Sequence, residues 1–247
     1  MIGAEGNMPY AAARVHARHG RRLAESQWRR IETSRQLGEY LQLARSTALA
    51  PWVASLEPTH DAHAIERTLR SEWRRYVRAV ARWHPREWQA WIDWWSWLPL
   101  LPLIACLARP EPVPPWMLAD PVCGPIALGN PEQRAQALQA TELAPLAPAV
   151  RAGLPIGSAW QQQAARLMPG VDQESGARLG LLVRLGPAAG AESAPGAAAA
   201  LVRLFRAAAE TAIASGCHLA LLGLEIERLR GGLIVRCLLP ATGSGAA

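Results

Sequence analysis

The sequence predicts an all-α fold of packed helical hairpins, and three observations support this class. Half of the 247 residues are hydrophobic, and only one phenylalanine is present. The abundant alanine, leucine, arginine, glutamate and glutamine have high helix propensity. Apolar residues recur every three or four positions through much of residues 8–107, which is typical of helices with one buried face. A chain of this length can bury one large core or two small ones.

Residues 8–58 contain signals for three helices and one short segment. Pro9 suits a first helical turn, and this helix is predicted to end at Gly20. A second helix covers about Leu23–Glu32. Thr33 and Gln36 have the spacing of a capping box, which would open a third helix. One face of that helix carries Leu37, Tyr40, Leu41 and Ala44. Pro51 and Pro58 then bracket a short segment that contains two large apolar residues, Trp52 and Leu56.

The clearest helical pattern follows in residues 65–83. One apolar face contains Ile65, Leu69, Trp73, Tyr76, Val80 and Trp83. Pro85 marks the end of this helix or the start of the next. The next helix is predicted to run to Leu98, where Pro99 and Pro102 break or kink it.

Six of the eleven tryptophans fall within fifteen residues and lead into the apolar segment 98–107: Trp83, Trp88, Trp91, Trp94, Trp95 and Trp97. This segment is a buried helix, a membrane-interface anchor or an aromatic platform for a ligand. A transmembrane helix needs about 20 apolar residues, and the near-apolar run 94–108 has fifteen. Because Trp88, Trp91 and Trp95 share one helix face, the spacing favours a buried helix.

A proline-rich connector is predicted near residues 109–115, where four prolines occur within six residues. Such a segment is stiff and extended. We therefore divide the chain into an N-terminal helical domain (1–108), a connector (109–116) and a second helical region (117–247). Within the second region, 131–143 and 158–168 are predicted to be helical. Residues 186–200 are of low complexity and are predicted to be mobile.

Two helical elements are predicted near the C-terminus. One begins at Leu201 and ends near Gly216, and the other covers Cys217–Leu239. Gly231 and Gly232 lie within the second element and cost about 1 kcal/mol each relative to alanine inside a helix. They either lie in a continuous helix, which we favour, or end it and leave Leu233–Leu239 free to form a strand.

The positive charge is concentrated in the N-terminal third. All 26 cationic side chains are arginine, and residues 1–86 contain 15 of them against 8 acidic residues, whereas residues 87–247 contain 11 against 12. In residues 66–78 arginine alternates with glutamate as on a solvated helix face. No known nucleic-acid-binding module is recognisable. An anionic membrane surface or an acidic protein fits this charge, and we expect no nucleic-acid partner.

No catalytic or metal-binding motif stands out in the sequence. His16 with His19, and His60 with His63, have the spacing of paired ligands on a helix but no accompanying cysteine or carboxylate set. The loop 153–158 has no lysine after it, which excludes a P-loop. The four cysteines have no CxxC spacing, and we expect them to be reduced thiols. We therefore expect a non-enzymatic protein without a cofactor or a metal.

Several short motifs occur in a fixed order along residues 8–100: the segments 10–18 (YAAARVHAR), 23–28, 37–41 (LGEYL), 47–52 and 65–73. Together they resemble the first helical repeat of the C subunit of V-type ATP synthases, whose eukaryotic relative is the d subunit of the vacuolar ATPase. A weaker similarity covers 224–239, with Glu225, Glu227, Arg228 and Arg230. Trp94–Pro99 stands where the family has a polar stretch, so the resemblance indicates a divergent, shortened member.

The resemblance implies a non-catalytic part of a rotary ATPase. Members of the family form an all-α socket on the cytoplasmic face of the proteolipid ring, and the central rotor stalk fits into it. The expected partners are therefore the stalk and the ring, with peripheral contact to the membrane from the cytoplasm. Candidate partner-interface residues are Arg14, Arg18, Trp94, Trp97, Arg228 and Arg230. The alternatives are a helical adaptor or assembly scaffold at a membrane surface, and an enzyme at a membrane surface with a pocket in the Trp-rich region.

Overall fold

The computed structural model describes residues 7–170, 177, 180–182 and 196–239, and these residues contain helices but no strand. The predicted all-α class is confirmed. The first seven helices are α1 Met8–His19, α2 Glu25–Glu32, α3 Leu37–Arg45, α4 Ala50–Val53, α5 Ala62–Ala81, α6 Arg86–Trp94 and α7 Leu101–Leu107. They are followed by α8 Pro115–Leu118, α9 Pro131–Gln139, α10 Ala147–Ala152 and α11 Ile156–Leu167. Residues 177 and 180–182 are also helical. The helices Ala197–Ala207 and Ala212–Leu238 follow, and we name the latter the C-terminal helix.

The predicted helix faces are buried as their spacing indicates. In α3 all four residues of the apolar stripe are buried, and in α5 Ile65, Leu69 and Trp73 are at most 2% exposed. α5 begins where the side chain of Asp61 accepts a hydrogen bond from the amide of Ala64, which satisfies one of the free N–H groups of the first turn. The predicted capping box at Thr33 is wrong. The Thr33 hydroxyl donates to the carbonyl of Arg30 in the preceding helix, and Gln36 is the residue before α3.

The C-terminal helix is the central element of the fold. It packs against α1, α3, α5, α6 and the helix Ala197–Ala207. Every residue from Ala212 to Gly223 is buried, as expected for a helix that is apolar on all sides. From Leu224 onward exposed and buried positions alternate along the helix, so its second half lies along the edge of the core.

The predicted helix end near Gly216 is wrong, since the break lies at residues 208–211. Gly216 is inside the C-terminal helix, where a Cβ atom would lie 2.7 Å from the ring of Trp91 and 2.6 Å from Leu182. The glycine is there because of close packing and not because the helix ends. Gly231 and Gly232 also lie within the helix, which continues to Leu238, so the helical alternative for this segment is confirmed.

The Trp-rich segment is packed inside the protein. The α-helix ends at Trp94 rather than at Leu98, and residues Trp95–Leu100 form a 3₁₀ helix. Proline cannot donate to the carbonyl four residues earlier, so the carbonyl of Trp95 lacks its α-helical donor. The indole Nε1 of Trp73 donates to that carbonyl at 2.8 Å. Trp94 and Trp160 bind each other in the same way, each indole Nε1 donating to the other's carbonyl, at 3.0 and 3.3 Å.

The helical stretch Arg86–Leu107 is long and apolar enough to cross a membrane by length and composition, but 61% of its most apolar window is buried inside the structure. Core helices of water-soluble proteins meet the same criterion. The burial of Trp91 and Trp95, which are at most 1% exposed, agrees with the buried-helix interpretation.

The proline-rich segment is held by one buried arginine. Arg134 of α9 is 3% exposed, and its guanidinium donates to the carbonyls of Ala127, Leu107, Arg109 and Glu111. The helices before and after this segment contribute to one buried cluster, and the proposed division at 109–116 stays a prediction. Of the segment predicted to be mobile, 186–195 lie outside the described residues, and 197–200 form the first turn of a helix.

Candidate functional site

The six predicted partner-interface residues fall into three groups. Arg14 and Arg18 are exposed on α1, where the Arg14 guanidinium lies 4.7 Å from the centre of the Trp83 ring. Trp94 and Trp97 are 5% and 6% exposed and face other residues of the same chain, because they belong to the core. These two indoles are therefore not presented on the described surface. Arg228 and Arg230 are half-buried on the C-terminal helix and are bound within the chain.

The C-terminal helix carries a row of charged side chains that bind α2, α3 and α5. The guanidinium of Arg228 contacts Glu32 at 2.6 Å and Glu25 at 2.7 Å, and it lies over the ring of Trp28. Arg230 contacts Glu66 of α5 at 2.8 Å. We name this row the arginine clamp; it also includes Arg22–Glu225 and Arg236.

The last member of the clamp closes over Tyr40. Arg236 donates to the carbonyls of Ser34 and Glu32 at 2.8 and 2.9 Å, and its guanidinium lies 4.2 Å from the centre of the Tyr40 ring. Gly232 lies beside the same ring, and a Cβ there would be 2.8 Å from its Cζ atom. The lack of a side chain at Gly232 therefore lets α3 and the C-terminal helix approach each other.

The charges of the clamp stabilise one another. The hydrogen bonds that Arg228 donates to Glu32 and Glu25 raise the pKa of Arg228, and the bond accepted from Arg228 lowers the pKa of Glu25. Burial raises the pKa of Glu225, whereas the neighbouring Arg22 lowers it. Arginine is suited to such bidentate contacts because its planar guanidinium matches a carboxylate. The clamp fixes the C-terminal helix and leaves these cations little capacity for other ligands.

Two buried histidines form hydrogen bonds that the sequence did not predict. The Nδ1 of His84 lies 2.9 Å from the carbonyl of Val80 and must donate to it, so the Nε2 accepts from the hydroxyl of Ser215 at 2.8 Å. His218 Nε2 bonds to the hydroxyl of Tyr76 at 2.7 Å. Burial lowers the pKa of His84 and lowers that of His218 to about 3. Both histidines are therefore neutral at pH 7.

The Ser215–His84 hydrogen bond resembles that of a nucleophile and its base. However, Ser215 is 2% exposed and His84 is not exposed at all, and a carbonyl rather than a carboxylate orients the ring. A substrate has no access to this pair, whose role is to connect the C-terminal helix to the turn after α5. Sequence reasoning missed it because the two residues are 131 positions apart and match no motif.

The histidine pairs noted in the sequence are occupied by other contacts. His19 stacks on Phe205 and His63 on Trp116, while His60 Nδ1 accepts a hydrogen bond from the amide of Glu57. Within the described ranges no group of three or more histidine, cysteine, aspartate or glutamate side chains is placed to bind a metal ion.

Two adjoining cavities lie on either side of Arg70. The apolar cavity, with a volume of about 720 Å³, lies between α5, the segment 98–105 and the C-terminal helix. The arginine groove, of about 430 Å³, runs along the outer face of α5 against residues 120–122. The sequence predicted that face of α5 to be simply solvated. The folding of residues 120–122 against it makes the face concave.

Comparisons of the chain with protein-family models, with curated proteins and with solved structures find no match.

Proposed function

We propose that this chain is a non-catalytic coupling component of a V-type rotary ATPase, related to the C subunit of V-type ATP synthases. In this role it is a helical socket on the cytoplasmic face of the membrane, between the rotor stalk and the proteolipid ring. The observation that carries the proposal is that the two sequence stretches that resemble the family, 8–100 and 224–239, pack on each other. The arginine clamp joins them through Arg228 to α2, Arg236 to Ser34 in the turn before α3, and Arg230 to α5.

A part that transmits torque needs stiffness between its two binding surfaces. The clamp supplies charge-assisted hydrogen bonds between segments about 200 residues apart in sequence, and such bonds are stronger than neutral ones. Four tryptophans fix the centre through contacts with their neighbours, since Trp88, Trp91, Trp95 and Trp160 meet edge to face in succession. Aromatic pairs of this kind contribute about 0.5–1.5 kcal/mol beyond their buried area. These features support a rigid element rather than a catalytic one.

The exposed residues of α1 are the best candidates for contact with a partner. Arg14 and Arg18 are exposed on α1, and neither has a carboxylate within salt-bridge distance among the residues that the structure describes. An acidic surface on the stalk or ring would pair with them.

The test is reconstitution with purified rotor stalk and detergent-solubilised proteolipid ring. We expect the chain to co-elute with the ring or the stalk in size-exclusion chromatography, and R14E/R18E to weaken this binding. The matched control with the same change of charge is R30E/R35E, because Arg30 and Arg35 are exposed arginines outside α1. A folded chain that elutes alone in the presence of both partners would contradict the proposal. If it instead binds other proteins at a membrane surface, the scaffold alternative is supported.

A further inference from the structure

The arginine groove contains more positive charge than its acidic neighbours neutralise. It is lined by Arg67, Arg70, Arg74, Arg75, Arg78 and Arg82. Arg70 forms a buried ion pair with Asp120, and Arg75 pairs with Glu72. Arg78 lies 3.8 Å from Asp93 and 3.6 Å from Glu142. Within the described part of the chain, Arg67 and Arg82 have no carboxylate within 4.0 Å.

Arg74 is the most constrained member of the groove. Its guanidinium lies 4.1 Å from the centre of the Trp97 ring, and its Nε is buried without a hydrogen-bond partner among the described residues. Burial lowers the pKa of Arg74, and the neighbouring charge of Arg78 lowers it further. An anion bound in the groove would compensate both effects, because guanidinium groups bind phosphate oxygens with paired hydrogen bonds.

The apolar cavity opens beside this groove. Its walls include Leu69, Trp73, Leu101 and Ile226, and both cavities are bordered by Arg67, Arg70 and Asp120. At its other edge Arg230 pairs with both Glu66 and Glu227, so that edge carries no unpaired cation and is slightly acidic. Its volume lies within the range of about 300–1,000 Å³ that is typical of ligand pockets. An apolar chain therefore has space directly next to unneutralised guanidinium groups.

We propose that the two cavities form one binding site for an anionic amphiphile with an alkyl or acyl chain and a phosphate headgroup. The alkyl or acyl chain of the ligand occupies the apolar cavity, and the phosphate binds the guanidinium groups of Arg67 and Arg74. The source of this ligand is a free amphiphile or a phospholipid of a bilayer, which offer the same chemistry. This inference does not rest on the proposed coupling function, because it uses only the two cavities.

The first experiment compares four ligands with the full chain at concentrations below micelle formation. Octyl phosphate, hexyl phosphate, octanol and inorganic phosphate are titrated by calorimetry, with the fluorescence of the chain as a second signal because Trp73 lines the cavity. Burying a methylene increases affinity by roughly fourfold, so octyl phosphate should bind more than tenfold tighter than hexyl phosphate. Octanol and inorganic phosphate should each bind at least tenfold more weakly than octyl phosphate. Equal affinity for hexyl and octyl phosphate, or for octanol and octyl phosphate, would overturn the proposal.

Three variants locate the site. Arg67→Gln removes an exposed cation of the groove and should weaken octyl phosphate several-fold without affecting octanol. Ala105→Trp fills the apolar cavity and should weaken both ligands. Arg29→Gln makes the same change of charge outside the groove and should bind like the wild type. Unchanged octyl phosphate binding by Arg67→Gln would refute the site even if Ala105→Trp did not fold.

Vesicles distinguish the two sources. Co-sedimentation with phosphatidylglycerol vesicles but not with phosphatidylcholine vesicles, reduced in Arg67→Gln and not in Arg29→Gln, would identify a bilayer phospholipid. Saturable binding of octyl phosphate without vesicle binding would identify a free amphiphile. Vesicle binding that is equal for the two variants, together with absent octyl phosphate binding, would show a general surface charge effect and overturn the site.

Discussion

Two adjacent glycines in the C-terminal helix should respond to alanine in opposite ways. Gly231 is exposed, and a Cβ atom there would have no neighbour within 4 Å. A Cβ on Gly232 would lie 2.8 Å from the Cζ and 3.2 Å from the Cε2 atom of Tyr40, which is completely buried. The Tyr40 ring cannot move away freely, since the guanidinium of Arg236 covers it.

The expected change in the free energy of unfolding has two contributions: helix propensity, which acts at both glycines, and overpacking, which acts only at Gly232. Replacing glycine by alanine inside a helix stabilises it by about 1 kcal/mol, and this gain applies to both positions. Gly231→Ala should therefore raise the free energy of unfolding by about 1 kcal/mol. Overpacking a well-filled interface costs about 1–3 kcal/mol, so Gly232→Ala should change the free energy of unfolding by between about 0 and −2 kcal/mol. The difference between the variants, about 1–3 kcal/mol, measures the contact of Gly232 with Tyr40.

Urea denaturation followed by far-ultraviolet circular dichroism measures both free energies of unfolding. Adding Tyr40→Phe should recover part of the loss in Gly232→Ala, because the hydroxyl that is closest to the new methyl group is gone. The double-mutant cycle isolates this coupling. If the two alanine variants were equally stable, the C-terminal helix would not pack on Tyr40 as described, and the reasoning would be refuted.

Three further predictions concern the interior. Arg134→Met should lower the free energy of unfolding by more than about 3 kcal/mol, since it leaves buried carbonyls without donors. The control Arg151→Gln removes an exposed pair with Glu132, and it should lower the free energy of unfolding by less than about 1 kcal/mol in the same urea titration. The pKa of His218 is about 3 in the folded protein and about 6.5 in the unfolded chain. The contribution of the neutral His218 ring to the free energy of unfolding is therefore complete above pH 6.5. It is lost as the pH falls below 6.5, by up to about 1.4 kcal/mol per pH unit. In urea titrations between pH 6.5 and 5, the free energy of unfolding should decline less steeply with falling pH for His218→Phe than for the wild type. The same pH dependence in both proteins would argue against a buried neutral ring. Finally, Trp73→Phe should cost about 1–3 kcal/mol more than Trp91→Phe in thermal and urea unfolding, because only Trp73 donates a hydrogen bond to a buried carbonyl.

The helix faces could be predicted because they depend on local spacing. The stripe from Leu37 to Ala44 and the long apolar face of α5 follow from the helical period alone, whichever segments cover them. The same holds for the continuation of the helix through Gly231 and Gly232, where the apolar pattern continues on both sides. Boundaries were less predictable. The sequence predicts a helix end near Gly216, but this glycine lies inside the helix against the ring of Trp91, which is a tertiary contact.

The candidate sites were harder to predict, because charge in a sequence does not reveal its partners. Arg228 and Arg230 looked available for another protein, but glutamates about 160–200 positions away bind them. The arginines of α5 looked solvated, and only the position of residues 120–122 gives them a groove. Both features depend on contacts between distant segments, which helical periodicity does not contain.

The broken end of the Trp-rich helix accepts hydrogen bonds from tryptophans in other parts of the fold. Pro99 and the change to a 3₁₀ helix remove the α-helical donors of the carbonyls of Trp94 and Trp95, and a buried carbonyl left without any donor costs about 1–3 kcal/mol. A side chain that satisfies such a carbonyl from a neighbouring helix must be large, apolar and a hydrogen-bond donor, which describes the indole. Trp73 and Trp160 supply these donors. Hydrogen bonding does not account for every indole of the cluster, because the Nε1 atoms of Trp91 and Trp95 are buried without a partner among the described residues. The broken helix and the two tryptophans that donate to it, Trp73 of α5 and Trp160 of α11, therefore form one structural unit.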